Sequence, residues 1–184
     1  CDVSATPDAA RAATEAYRQE VLAQMSRADL IRCILLRPIV RLFPTKNNTG
    51  VAAEYIHDPL MNLYFTRDQS ITTPRGHIIC CMNSPQRAAE TDVIALCYRH
   101  LGGAPILRLD GDGRLEGGDY IPAGTVAFIG CGMRTNPEGI RQIMDADAFG
   151  HDTIVVVHDH KRWQMQMHLD THFNIIDRDL CTMV

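Results

Sequence analysis

Three short acidic turns recur along this chain at a single spacing. Thr66-Arg67-Asp68, Gly117-Gly118-Asp119 and His168-Leu169-Asp170 are separated by 51 residues at each step. Two stretches between them read as helices opened by proline. Residues 85–101 follow Ser84 and precede Gly102 and Gly103; residues 137–149 follow Asn136 and precede Gly150. Proline lacks an amide hydrogen that the first helical turn leaves unused anyway, and glycine adopts the left-handed backbone that ends a helix. Residues 76–82 and 126–131 read as strands before these helices, and 105–109 and 153–158 as strands after them. Each unit is therefore strand, strand, helix, strand. A period near 50 residues marks modules that cannot bury their apolar faces alone and must stack or close into a ring. Helices inside every unit argue for an α/β ring and against an all-β one. The sequence holds two units and the first strand of a third, so a closed ring needs more chain.

A helical lead precedes the repeat. Residues 8–25 are rich in Ala, Glu, Gln and Arg, which favour helix. Ser26 can cap a second helix over 29–36, which Pro38 ends. Residues 44–50, Pro-Thr-Lys-Asn-Asn-Thr-Gly, carry turn chemistry and are expected to be a linker. The expected domains are thus a helical segment over 1–50 and an α/β domain over 51–184. The first residue is Cys and not Met, so the chain is expected to be a piece of a longer protein.

Composition removes several classes of function. A 46% hydrophobic and 22% charged content is that of a globular domain. A net charge of −4 with interspersed signs leaves no footprint for nucleic acid. No apolar run approaches the ~20 residues that span a bilayer. Seven cysteines show no disulfide spacing and no Cys-x-x-Cys zinc pair, which points to a reducing, cytoplasmic setting. Cysteines in the expected strands and helices read as core residues.

In a ring of such units, equivalent positions face one axis. That gathers Asp68, Glu116, Asp119, His168 and Asp170, and converging carboxylates need a cation, either a metal or a planar guanidinium. A histidine among them suits general acid–base work. Residues 168–173 alternate as a strand would, with His168, Asp170 and His172 on one face; this is either a ligand set or, for His172, a solvated strand residue. His158-Asp159-His160 reads as a polar strand end. Asp110-Gly111-Asp112-Gly113 looks like a calcium loop, but Arg114 stands where an acidic ligand belongs, so a tight turn is expected. Gly130-Cys131-Gly132-Met133-Arg134 lacks the third glycine of a phosphate loop. In Glu116-Gly117-Gly118-Asp119, the glycines permit a ligand to approach the backbone or supply positive φ, unless the stretch is a plain surface turn.

At these residues the sequence resembles the arginine deiminases of the guanidine-modifying superfamily. The motifs are Asn62-Leu63-Tyr64-Phe65-Thr66-Arg67-Asp68, Glu116-Gly117-Gly118-Asp119 and Met167-His168-Leu169-Asp170-Thr171. Residues 85–91 and 132–135, and the later Ile176-Asp177-Arg178-Asp179, fit between and after them. Agmatine deiminases show Trp-x-Arg-Asp and Gly-His-x-Asp instead. The resemblance runs from Asp58 to Val184, with the lead similar to the end of the family's helical insertion. It implies a five-unit α/β propeller, present here in part. It also implies hydrolysis of L-arginine to L-citrulline and ammonia through a covalent cysteine thiouronium, with no metal or cofactor. By motif position, Asp68 and Asp170 grip the guanidinium, His168 is acid and base, and Glu116 assists it. Asn62, Arg87 and Arg134 take the α-carboxylate, and Phe65 walls the aliphatic part. The family's nucleophilic cysteine lies well beyond the histidine motif, and Cys181 stands at a strand position, so these 184 residues are expected to be inactive alone. Expected partners are the small substrate and, through unfilled propeller edges, other copies, with no nucleic acid and no membrane. The rivals are another guanidine-modifying enzyme, acting on agmatine, methylated arginine or in amidino transfer, and a non-catalytic arginine-binding piece.

Overall fold

The computed structural model describes residues 8–48 and 50–184, so Cys1 lies outside the described residues. The chain divides into two compact units, Cys1–Met61 and Asn62–Val184.

In the first unit, helix α1 (Asp8–Gln24) is followed by α2 (Arg27–Leu36). Ser26 caps α2 as expected, its hydroxyl accepting from the Asp29 amide at 3.2 Å. Arg37 ends it in the left-handed conformation at φ 45°. Strands β1 (Pro38–Pro44) and β2 (Val51–His57) then pair antiparallel, Val40 opposite Tyr55 and Pro44 opposite Val51. The stretch expected as a linker is therefore a hairpin turn. The division falls after Met61 and not at residue 50, because the ladder ties 51–57 back to 38–44.

The second unit carries the repeat. Strands β3 (Ser70–Thr73) and β4 (Gly76–Ile79), helix α3 (Glu90–His100) and strand β5 (Leu107–Arg108) form the first module. Strands β6 (Tyr120–Ala123) and β7 (Val126–Cys131), helix α4 (Pro137–Asp145) and strand β8 (Thr153–His158) form the second. Both sheets have the same order, first strand antiparallel to the second and second parallel to the third across the helix. Strands β9 (Phe173–Asp177) and β10 (Leu180–Met183) then make an antiparallel hairpin, so two strands of a third module are present where one was expected. The architecture is mixed α/β, and the described strands lie in four separate sheets with no closed barrel.

Local differences have local causes. The helix expected from Pro85 is a 3₁₀ turn, Pro85–Arg87, before α3, and Ser84 makes no side-chain cap. Asn136 does cap α4, accepting from the Gly139 amide at 2.8 Å. That helix stops at Asp145, which frees Ala148 and Phe149 to enter the core. Strand β4 ends at Ile79; beyond it Cys81 only bridges Leu115. The calcium-like loop is a turn, with the Gly113 amide on the Asp110 carbonyl at 3.0 Å and Arg114 Nη1 on the Gly111 carbonyl at 2.7 Å.

The core runs through both modules: Ile71, Ile78, Leu115, Ile129, Ile140 and Ile143 are all buried within it. Cys80 and Cys131 belong to it, whereas Cys97 on α3 is exposed, contrary to the expectation that it is a core residue; Cys181 on β10 is exposed as well. Among the described residues no helix is long and apolar enough to cross a membrane.

Candidate active site

Each acidic turn sits just ahead of the first strand of its module, which brings three turns to one place. Asp68 lies two residues before β3. Glu116 precedes the 3₁₀ turn Gly117–Asp119 that leads into β6, and His168 precedes the 3₁₀ turn Leu169–Thr171 that leads into β9. The expected strand over 168–173 is therefore a turn. Thr171 Oγ1 donates to the His168 carbonyl at 2.6 Å and Asp119 accepts the Leu169 amide at 2.9 Å, so side chains close the turn against the strand pattern. His168 points inward while Asp170 and His172 stay half-buried.

The two glycines after Glu116 serve close approach. Neither has positive φ. A Cβ on Gly117 would strike the Arg67 carbonyl oxygen, and one on Gly118 would lie 2.7 Å from the His168 ring. The room is used by the chain itself: the Gly117 amide donates to the Asp68 carbonyl at 3.0 Å.

His168 is the centre. Its Nε2 stands 2.8 Å from Glu116 Oε2, and its Nδ1 is 3.9 Å from Asp68 Oδ1. Glu116 is 1% exposed. Its other oxygen accepts the Asn83 amide at 3.0 Å, with Arg134 Nη1 3.9 Å away. Burial alone would discharge the imidazole, but the hydrogen bond to Glu116 and the charges of Asp119 and Asp68 outweigh it, so the ring keeps its proton above the ordinary histidine range. Burial likewise opposes the Glu116 carboxylate, yet the bond to His168, its charge and the Asn83 amide hold that carboxyl below its usual range. Asp170 lies 3.3 Å from Arg67 Nε, and burial raises its carboxyl against the pull of Arg67 and His168.

Asp119, expected at the site, works behind it. Its carboxylate accepts Thr135 Oγ1 at 2.6 Å and the Leu169 amide, and burial raises its pKa despite both bonds.

The residues expected at the substrate's far end are less alike. Arg87 is 9% exposed and fully engaged. Its Nη1 donates to Asp68 Oδ2 at 2.7 Å, and its Nε and Nη2 donate to Glu90 at 3.1 and 3.0 Å. It thus holds an aspartate rather than presenting an open anion site. Arg134 has Nη2 3.7 Å from Met167 Sδ, and its Nε is buried with no hydrogen-bond partner. Phe65 is 55% exposed and meets Tyr64 edge-on. The Asn62 amide donates to Glu90 Oε1 at 3.1 Å. Glu90, Gln69, Thr135 and Arg67 were not expected in the site. Arg67 and Thr135 stood inside the matched motifs without a role, and Glu90 left a trace three residues after Arg87, a spacing that pairs charges on one helical turn.

Asp68, Glu116 and His168 also offer ligand atoms within 4.8 Å of one another. Their oxygens and ring nitrogens are already shared with Arg87 and with each other, which suits an organic cation donating hydrogen bonds better than a metal ion. A cleft of about 310 Å³ opens beside His168, with Met133, His158, Lys161 and Met167 among its walls.

Solved structures of known proteins share this arrangement of modules. An adduct of dimethylarginine dimethylaminohydrolase matches with a TM-score of 0.54 at 28% identity, covering 65% of this chain and 46% of that one. The Pseudomonas aeruginosa form of that protein, complexed with citrulline, matches equally well over 64% of this chain and 44% of its own. The N-terminal domain of ArgZ, a cyanobacterial arginine dihydrolase, shares the fold at a TM-score of 0.52 and 19% identity, over 60% of this chain and 40% of that one. Fold and neighbours define the guanidine-modifying, or pentein, class. The family model for arginine deiminase matches residues 3–184, and the chain belongs to the arginine deiminase family. The curated arginine deiminase of Rhodococcus erythropolis is 33% identical over 138 residues, 71% of this chain and 33% of that protein. That of Latilactobacillus sakei is 33% identical over 188 residues, 92% of this chain and 45% of that protein. The chain thus spans about a third to under a half of the curated relatives it matches.

Proposed function

We propose that this segment supplies the guanidinium-binding and proton-transfer side of an L-arginine hydrolysis that yields L-citrulline and ammonia. The observation that carries the reading is a buried imidazole held between two carboxylates that favour its protonated form, with a third carboxylate, Asp170, at the rim. Carboxylates pair with a planar guanidinium through parallel hydrogen bonds and fix its plane. Asp68 and Asp170 take that part, and Glu116 steadies His168.

The chemistry divides into two steps. A cysteine thiolate from outside these 184 residues adds to the guanidinium carbon. The bond to one terminal nitrogen breaks, His168 gives that nitrogen a proton, and ammonia leaves a thiouronium on the cysteine. Neutral His168 then takes a proton from water as the hydroxyl adds to the same carbon. The carbon–sulfur bond breaks as the added hydroxyl gives up its remaining proton to solvent, returning the thiolate and L-citrulline. Within the segment, burial and the charges of Glu116 and Asp68 push the Cys80 thiol well above its ordinary range, which makes it a poor nucleophile. Arg134 meets the substrate carboxylate, and the pentein ring is completed by modules beyond this segment.

The likeness to dimethylarginine dimethylaminohydrolase favours one alternative, a methylated arginine as substrate. A panel of arginine, methylated arginines and agmatine decides between them. The full-length gene product is expected to release citrulline from arginine fastest, and the 184 residues alone are expected to bind arginine without turnover. Calorimetry and a citrulline assay check both, and turnover by the segment that Cys181→Ala abolishes would reverse the assignment of the nucleophile.

A further inference from the structure

Glu90 opens α3 and is completely buried, yet no step above uses it. Four donors converge on its carboxylate: Arg87 Nε and Nη2, Gln69 Nε2 at 2.6 Å, and the Asn62 amide. A buried charge is retained only where partners repay its loss of water, and here they do so from three separate stretches of the chain. The other end of the same Arg87 guanidinium is on Asp68. One cation is thus shared by two carboxylates, and the trio keeps a net negative charge on the side that faces His168. Without Glu90, Arg87 would neutralise Asp68 alone and be free to turn about it.

We propose that Glu90 is a positioning residue: it holds the Arg87 guanidinium so that Asp68 is fixed in orientation and stays available to an incoming guanidinium. This rests on the reading of Asp68 as the group that grips substrate. Glu90 touches no reacting atom, and its effect passes through Arg87.

The test uses the full-length gene product, unaltered and as Glu90→Gln, Arg87→Met, Glu90→Gln with Arg87→Met, and Gln69→Met. An amide has one acceptor oxygen, so at position 90 it would set a donor against at least one of the four donors. Two readouts are followed: the side-chain Nε–H signal of Arg87 by NMR, and kcat and KM for L-arginine. Unaltered protein should show a slowly exchanging Nε–H, which Glu90→Gln loses. That variant should lose about 10- to 100-fold in kcat/KM, most of it in kcat, as expected when a group beside the reacting carbon is misplaced by about 1 Å. The double variant should be no worse than Arg87→Met, since residues acting as a unit are non-additive. If Glu90→Gln does not fold, Gln69→Met, which also removes a buried unpartnered oxygen, should fold and show a smaller loss in the same direction. An unchanged Nε–H signal, losses that multiply, or a lower melting temperature with unaltered kcat and KM would overturn the proposal. No turnover in the unaltered protein, with the Arg87 signal still lost in Glu90→Gln, would leave Glu90 holding Arg87 and bring down the reaction assigned to the site.

Discussion

Among the described residues, Arg134 Nε is the one buried guanidinium nitrogen without a hydrogen-bond partner. An anion at this place would satisfy it. The substrate's α-carboxylate is that anion in the proposed reaction, and agmatine lacks it. A charge-assisted hydrogen bond contributes about 1.5–3 kcal/mol. Arg134→Ala in the full-length protein should therefore lower kcat/KM for arginine by roughly ten- to a hundred-fold and leave agmatine turnover nearly unchanged. Equal losses on both substrates would make Arg134 a support of Glu116 instead. The His168–Glu116 pair sets a pH dependence of stability. His168 has a raised pKa in the fold, so its contribution is complete below the ordinary histidine range and is lost as pH rises through the folded value. Glu116 has a lowered one, so its contribution is present above the ordinary glutamate range and is lost as pH falls through the folded value. Asp119 has the opposite sign to Glu116 and softens the acid limb. Urea midpoints taken from about pH 6 to about pH 9 should fall with rising pH in the unaltered chain and much less in His168→Gln.

At the scale of elements, the two module helices make a matched pair with unequal starts. Asn136 Oδ1 accepts two amides, those of Gly139 and Arg114, and its Nδ2 donates to the Asp112 carbonyl at 2.8 Å, whereas Ser84 makes no side-chain cap bond. Asn136→Ala should cost about 1 kcal/mol or more and Ser84→Ala a small fraction of that, measured as shifts in urea midpoint. The start of α4 was visible in the sequence because proline and a capping residue act on their immediate neighbours, whereas before α3 the same signal marks only a 3₁₀ turn. Strands β7 and β8 were equally plain as apolar runs, although only β7 is largely buried and β8 is half-exposed. What escaped were the places where a distant side chain decides. Thr171 and Asp119 turn 168–173 out of the strand pattern, and Asp119 is fifty residues from the amide it holds. Arg87 was assigned to the substrate's α-carboxylate by motif position, and its partners Asp68 and Glu90 are recognised only once separate stretches of chain are packed together. The turn at 44–50 was taken for a linker because hairpin turns and linkers use the same residues.

For the molecule as a whole, the carboxylate and imidazole groups of the site come from turns that belong to three successive modules. Three links between those turns span about one repeat, Arg67 Nη2 to the Tyr120 carbonyl at 2.9 Å, Glu116 to His168, and Asp119 to the Leu169 amide, and two more, Asp68 to His168 and Arg67 to Asp170, span about two. Within a module the first two strands meet across a short turn, as in β3 with β4 and β6 with β7. Closing a loop of fifty residues costs more chain entropy than closing one of a few, and nothing repays it until both modules already exist. The site should therefore assemble last. In pulse-labelled hydrogen exchange during refolding, the amides of Ile129 and Phe128 should gain protection before those of Gly117 and Leu169. A protein built this way acquires its chemistry only at the final stage of maturation, so a chain still emerging or misfolded carries no formed site.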